Sequence, residues 1–304
     1  AKVGIPVAGV ILDDADIVPG LSCILFIGGG FISFEFGHIA ARAGSEVCMI
    51  DRGERPLKGF DADLVERLVA RGEEVGVQLR RRTSLKSIKK DGTDFLVTVE
   101  TGSETKDLRA DLVVQGAGRV AAIDQLDLAA ANVEAGDKGV AVNAYLQSTS
   151  NPKIYAAGDA ADTQGAPLTP VAVFEGKVAA SNMLKGNRTK PDYSGVPSAV
   201  FTVPELTRVG MLEQDAREAG HDIRVVENDT GDWYSNLRVG ESCAATKVII
   251  DKDSDTILGA HLLGPEYGEI INFFGLAIRL GLTTSDLKKM VSVYPSVGSD
   301  LGSM

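Results

Sequence analysis

Cysteine is scarce in this chain, with Cys23, Cys48 and Cys243 far apart among 304 residues. That spacing excludes a CxxC redox pair, a zinc ribbon and a disulfide scaffold, and it suits a reducing compartment. Cys23 and Cys48 fall in apolar, strand-like runs, where a thiol packs as a small buried hydrophobe. Histidine is equally sparse. None of His38, His221 and His261 meets a cysteine or acid at metal-ligand spacing, so no metal site is expected and all three read as satisfied structural side chains. Positive charge is also short: 31 Lys and Arg against 42 Asp and Glu leave a net charge of −11, which argues against a nucleic-acid or anionic-membrane surface. The basic run "RRRTSLKSIKK" (80–90) has no interleaved aromatic for base stacking and reads as the solvated edge of a strand and turn. No stretch reaches the ~18 uninterrupted apolar residues of a bilayer span. The opening "AKVGIPVAGVIL" lacks the basic n-region of a signal peptide. The expectation is a cytoplasmic protein that engages neither membrane nor nucleic acid.

What is present belongs to an ordinary globular protein, 44% hydrophobic and 24% charged, long enough for two or three cored domains. "SCILFI" (22–27) is a continuous apolar run, as a strand buried on both faces requires. Three glycines follow, then "FISFEFGHIAARAG" with helical spacing and a glycine stop, then a second buried strand, "EVCMID". Together they make one βαβ unit. A second amphipathic helix over 61–76, a strand "VQLRRR", a meander strand "FLVTVET" and a buried strand in "RADLVVQGAG" complete an α/β segment with a mainly parallel sheet. Residues 119–190 hold short strands, "GVAV" and "KIYAA", and a helix from near Pro170 to about Leu184. After the boundary stretch "KPDYSGVPS", four strands and two helices (267–280 and 284–290) read as α+β, an antiparallel sheet covered on one side.

"FIGGGFISFE" follows a strand and opens a helix, the context that gives a glycine motif its meaning. Gly28 would make the tight turn and Gly30 would let the backbone approach a pyrophosphate. Ser33 takes the small position where helix and strand pack. A diphosphate would then sit over free N–H groups and about half a positive charge of helix dipole. The alternative is a glycine turn that holds nothing. Asp51 ends the second strand, where a carboxylate accepts hydrogen bonds from ribose hydroxyls of NAD(H). Arg52 and Arg55 stand beside it and could clamp a 2′-phosphate instead; the reading here favours NADH over NADPH. Further along, Gly158 and Asp159 end another apolar run. Asp159 is placed either to meet a ligand or to cap a helix or turn.

Taken in order, "ILFIGGGFISFEFGHIAARAGSEV", "VVQGAGRV", "NPKIYAAGDAAD", "LTPVAVFEGKVAASNML" and the 199–304 segment resemble the flavin-dependent pyridine nucleotide-disulfide oxidoreductases, the family of glutathione reductase and dihydrolipoamide dehydrogenase. The resemblance implies a linker over 1–20, a Rossmann-like NAD(P)-binding domain over 21–118, the remainder of an FAD-binding domain over 119–190, and an α+β dimerisation domain over 191–304. It implies an enzyme that passes hydride from NAD(P)H to FAD and on to an acceptor, as a homodimer through 199–304. On this likeness Gly118, Gly158 and Asp159 would bind FAD, and Leu168, Thr169 and Pro170 would bring a helix N-terminus to the flavin. Glu35 would stand near the nicotinamide. The family's first FAD glycine motif and its redox cysteine pair have no counterpart here. The expectation is therefore a piece of a longer enzyme, or a subunit completed by another, holding half an FAD site. At the position of the family's catalytic His-Pro stands Tyr294-Pro295, with Ser299 in place of the acid. Imidazole titrates near 6.5 and phenol near 10, so a tyrosine there relays thiol protons poorly and glutathione and lipoamide are not the expected acceptors. Tyr294 would donate a hydrogen bond or pack at an interface. A second reading is a nucleotide-binding and dimerisation module without catalysis; a flavin-free dehydrogenase lacks its proton relay.

Overall fold

The structure, a computed structural model, describes residues 22–304, so the expected linker over 1–20 lies outside the described residues. The chain divides into two compact units, one made of residues up to 118 together with 197–304, the other of 119–196.

In the first unit β1 (Cys23–Ile27) is buried at four of five positions and pairs in parallel with β2 (Glu46–Ile50). Between them runs α1 (Phe31–Arg42), and Gly37 lets it sit close on β2, since a Cβ there would overlap the Met49 methyl. Next comes α2 (Ala62–Glu74), whose N-cap Asp61 accepts from the amides of Asp63 and Leu64 at 3.1 and 3.2 Å, as a capping aspartate should. Then β3 (Val77–Arg80) extends the parallel sheet beside β2. The antiparallel meander β4 (Thr83–Asp91), β5 (Asp94–Thr101) and β6 (Glu104–Ala110) carries the chain back to β7 (Leu112–Gln115) beside β1. The parallel sheet thus runs β3-β2-β1-β7. The basic run falls on the end of β3 and on β4, where Lys86, Lys89 and Lys90 are exposed, as a solvated strand edge implies. The strand β6 was not expected: "ETKDLRA" is polar and exposed along most of its length, and only its pairing with β5 makes it a strand.

The second unit holds β8 (Ala135–Gly136), β9 (Gly139–Ala141), β10 (Ala161–Asp162) and α3 (Thr169–Lys185). "KIYAA" does not form the expected strand. Its backbone bonds back to the turn before it, with Ile154 N to Asn151 O at 3.1 Å and Ala156 N to Leu146 O at 3.0 Å, leaving one isolated bridge at Tyr155.

From 197 the chain returns to the first unit as β11 (Ser198–Val200), β12 (Glu205–Gly210), α4 (Glu213–Glu218), β13 (Ile223–Asp229), α5 (Tyr234–Leu237), β14 (Ala245–Asp251), β15 (Ile257–Gly264), α6 (Tyr267–Leu280) and α7 (Thr284–Leu287). The five strands form an antiparallel sheet in the order β11-β12-β15-β14-β13. Expectation and structure differ here, because the sheet is covered on both faces. On one, Ile270, Ile271, Phe274 and Ala277 of α6 pack on Val209, Val248 and Leu262. On the other, Leu64, Val65 and Leu68 of α2 share a core with Leu206, Ala245 and Leu263. Each such side chain, fully buried, contributes about 1.5–3 kcal/mol. Lys247 lies on the α2 face with 5% of its side chain exposed, ringed by Asp61, Asp63 and Glu227 at 3.1, 2.6 and 3.2 Å.

Candidate functional site

The glycine turn between β1 and α1 is shaped by close approaches that only glycine allows. Gly28 has φ +102°, and a Cβ on it would meet the Ala117 Cα at 2.6 Å. A Cβ on Gly29 would overlap the Asp51 carboxylate, whereas Gly30 has room, with the Gly116 carbonyl 3.5 Å away. Ser33 is fully buried against Gly116, where any side chain would strike the Ser33 hydroxyl; α1 is thereby drawn down onto the end of β7. Gly30 is the N-cap of α1, no side chain caps it, and the first turn carries no acid. Backbone N–H groups at this end therefore point at whatever lies before the turn, together with the positive end of the helix dipole.

Asp51 stands at the end of β2. Its Oδ1 accepts from Gly53 N at 2.7 Å and its Oδ2 lies over Gly29, so the carboxylate borders the turn. Arg52 is exposed and has no hydrogen-bond or ion-pair partner among the described residues. Arg55 is tied into its own loop, donating to the Lys58 carbonyl at 2.7 Å. Glu35 lies one turn into α1 and accepts from the Phe201 amide at 2.9 Å, which joins α1 to the residue after β11.

The second unit carries the other group. Gly158 has φ +65°, and Ala172 of α3 takes the space of its Cβ at 2.8 Å. Asp159 caps nothing; it is exposed on a single 3-10 turn and pairs with Arg119 at 3.0 Å, while the same guanidinium donates to the Pro167 carbonyl at 3.1 Å. Leu168 is the N-cap of α3 with extended backbone. Again no side chain caps the helix and no acid occupies its first turn, so Thr169 and Pro170 open a positive helix end toward solvent. Gly118, with φ +119°, belongs to the first unit and ends it.

The sequence profile of the pyridine nucleotide-disulphide oxidoreductases matches residues 11–176, and that of the dimerisation domain of the same family matches 196–304. The chain belongs to the pyridine nucleotide-disulphide oxidoreductase family. It is 32% identical over 276 residues to mercuric reductase of Bacillus cereus, spanning 90% of this chain and 43% of that one. It is 50% identical over 179 residues to an uncharacterized 19.7 kDa protein in a mercuric resistance operon of Staphylococcus aureus, 59% of this chain and 99% of that one. The HOCl-induced flavoprotein disulfide reductase RclA from Escherichia coli superposes with a TM-score of 0.83 at 26% identity, covering 93% of this chain and 64% of its own. The chain thus spans less than two thirds of these reductases. Members of the family use FAD and NAD(P)H.

In this oxidoreductase fold Tyr294 lies near the C-terminal end of the described chain, 76% exposed, its ring stacked at 6.4 Å and 26° on Tyr234. Around it Val291 and Val293 are also exposed. The three thiols are free and only partly buried; burial pushes each up, Cys243 to about 11, so all stay protonated at neutral pH. Of the histidines expected to be satisfied, His221 is, with Asp251 at 2.9 Å. His261 bonds the Met211 carbonyl through Nε2 at 2.9 Å and leaves Nδ1 unpartnered. His38 departs furthest: neither of its buried ring nitrogens makes a well-formed hydrogen bond, although the Val203 backbone lies close enough to act on the ring. Burial pushes its pKa down to about 4. Among the described residues no cluster of three His, Cys, Asp or Glu side chains is placed to hold a metal, and no helix is long and apolar enough to cross a membrane.

Two residues escaped the sequence reading. Arg119, partner of Asp159, lies forty positions away from it with no local pattern to link them. Glu175 did leave a signal, since it shares the buried stripe of α3 with Val171, Val178, Ala179 and Asn182 and is its one ionisable residue.

Proposed function

We propose that this chain serves an oxidoreductase that takes reducing equivalents from NAD(P)H to FAD and then to an acceptor other than glutathione or lipoamide. In this reading residues 21–118 hold the nicotinamide dinucleotide, 119–190 hold part of the FAD, and 191–304 build a homodimer. The carrying observation is the glycine turn, closed to any Cβ at Gly28 and Gly29, leading into an uncapped helix with a strand-end carboxylate beside it.

The residues fit the two cofactors. Gly28, Gly30 and the first amides of α1 would receive the dinucleotide pyrophosphate, while Ser33 sets how closely α1 meets the sheet. Asp51 would accept from ribose hydroxyls and repel a 2′-phosphate. Arg55 is held by its own loop, while Arg52 and Lys58 remain to attract one; the place of the Asp51 carboxylate at the strand end makes NADH the favoured donor. Glu35 would hold the face of α1 toward the nicotinamide. In the second unit Asp159 and Gly158 would take the ribityl and diphosphate region of FAD, and the start of α3 at Leu168 and Thr169 would favour negative charge at the flavin edge. Gly118 leads the chain into that unit. Bound NAD(P)H and FAD supply the redox chemistry; the side chains here bind, orient and set charge. Tyr294 would donate a hydrogen bond to the acceptor, and it is ill-suited to move thiol protons at neutral pH. The exposed apolar stripe of α6, Phe273, Leu276 and Leu280, supports the homodimer.

Steady-state dye reduction with NADH or NADPH, with and without added FAD, tests this. The expected result is FAD-dependent turnover with a lower KM for NADH, and loss of about tenfold of that preference in Asp51→Ala. A strong preference for NADPH would reverse the donor assignment. Nucleotide binding without turnover would favour the second reading, a binding and dimerisation module.

A further inference from the structure

Glu175 is 1% exposed in the second unit and has no ion-pair partner among the described residues. A carboxylate taken out of water without a cation has to be satisfied by donors. Three converge on it: Gly158 N reaches Oε2 at 2.6 Å, while the Thr163 hydroxyl at 2.8 Å and the Tyr193 hydroxyl at 2.6 Å reach Oε1. Burial, and then Glu175 itself, push the Tyr193 phenol up to about 12, so it remains a donor throughout the neutral range.

Two of these donors are the first and last residues of the segment 158–163, and Asp159 lies between them. The segment is pressed onto α3 at its start, where Ala172 fills the Cβ space of Gly158, and again two residues beyond its end, where Glu175 Oε1 and Val171 fill that of Gly165 at 2.7 and 2.8 Å. Glu175 sits less than two turns from the start of α3. One side chain therefore ties the loop that carries the exposed carboxylate to the helix whose N-terminus is open. The buried stripe of α3 is aliphatic at Val171, Val178 and Ala179 and polar at Glu175 and Asn182; Asn182 donates to the Tyr145 and Thr189 carbonyls, whereas Glu175 alone reaches the 158–163 loop.

We propose that Glu175 is a positioning residue: by holding Gly158 and Thr163 it fixes the 158–163 loop, so that Asp159 and the N-terminus of α3 meet FAD in one geometry. This rests on the reading that Asp159 contacts FAD.

The test is FAD titration of the full chain, followed by flavin fluorescence, in the wild type, Asp159→Asn, Glu175→Gln and the double variant. Each single change is expected to weaken binding by about tenfold, the scale of one hydrogen bond to a charged group. The double variant should bind within about threefold of Asp159→Asn alone, because a positioning residue has nothing left to position. Hydrogen exchange at the Gly158 amide should accelerate in Glu175→Gln while α3 beyond residue 178 stays protected. Full additivity of the two losses, or unchanged affinity and exchange in Glu175→Gln, overturns the proposal and leaves the Asp159 reading standing. If Asp159→Asn binds as the wild type does, or the wild type takes up no FAD, the flavin reading itself fails and the proposal with it. Should Glu175→Gln not fold, Thr163→Val, which frees only the far end of the loop, must show the same non-additivity with Asp159→Asn.

Discussion

His38 should make the first unit sensitive to acid, by an amount that the structure sets. The ring is 1% exposed, stacks on Phe34 at 6.4 Å and 26°, and has its Nε2 3.4 Å from the place a Cβ on Gly72 would occupy. Burial outweighs the nearby Val203 backbone and holds its pKa at about 4 against an ordinary 6.5. Between those values the unfolded chain binds a proton that the folded chain refuses, so stability is complete above pH 6.5 and is lost as pH falls toward 4. The gap corresponds to about 3 kcal/mol below pH 4 and about 2 kcal/mol at pH 5. Other groups also titrate there, so the informative quantity is the difference between the wild type and His38→Leu. Urea unfolding followed by Trp233, the one tryptophan and a member of the same unit, measures it at pH 8 and pH 5. At pH 8 the variant should be no less stable, since two unpartnered buried nitrogens are removed. At pH 5 its advantage should grow by about 2 kcal/mol. A difference that stays flat between the two pH values would refute the buried neutral imidazole.

Other substitutions test separate parts of the structure. Gly28→Ala forces a Cβ to within 2.6 Å of the Ala117 Cα at φ +102°, and should cost about 2 kcal/mol or more in unfolding free energy and abolish protection of α1 by added NADH, read by hydrogen exchange. Lys247→Met leaves Asp61 buried without its cation and should destabilise by about 3 kcal/mol, whereas Asp63→Asn, at an exposed carboxylate, should change stability by less than about 1 kcal/mol; thermal denaturation distinguishes the two. If 191–304 build the proposed homodimer, Leu276→Asp on the exposed face of α6 should give monomer in sedimentation velocity at micromolar concentration where the wild type gives dimer, with the far-ultraviolet circular dichroism unchanged.

The sequence carried the parts of this fold that depend on local pattern. β1, β2 and α1 follow from one apolar run, three glycines and a helical period, and α6 follows from its apolar spacing, because these elements bury what their own residues present. β6 was not legible, since its polar side chains say nothing of the ladder that β5 offers them. "KIYAA" misled in the opposite sense, as an apolar run with no partner strand along its length. The second cover on the antiparallel sheet was hidden for a similar reason: α2 precedes that sheet by well over a hundred residues. In the candidate site the glycine turn and Asp51 could be read from spacing, but the use of Glu35 on the Phe201 amide and the Glu175 contacts could not, because each joins distant positions through a single atom.

The apolar side of α2 shares one core with β1, β2 and β3 of its own sheet and with β12, β14 and β15 of the later one. On a ribosome, therefore, Leu64, Val65 and Leu68 emerge long before Leu206, Ala245 and Leu263 exist to shield them. At about 5–20 residues per second the wait is on the order of ten seconds. During that interval the whole of the second unit is synthesised, and the part of the α2 face that meets the later sheet waits uncovered while β1, β2 and β3 hold the rest.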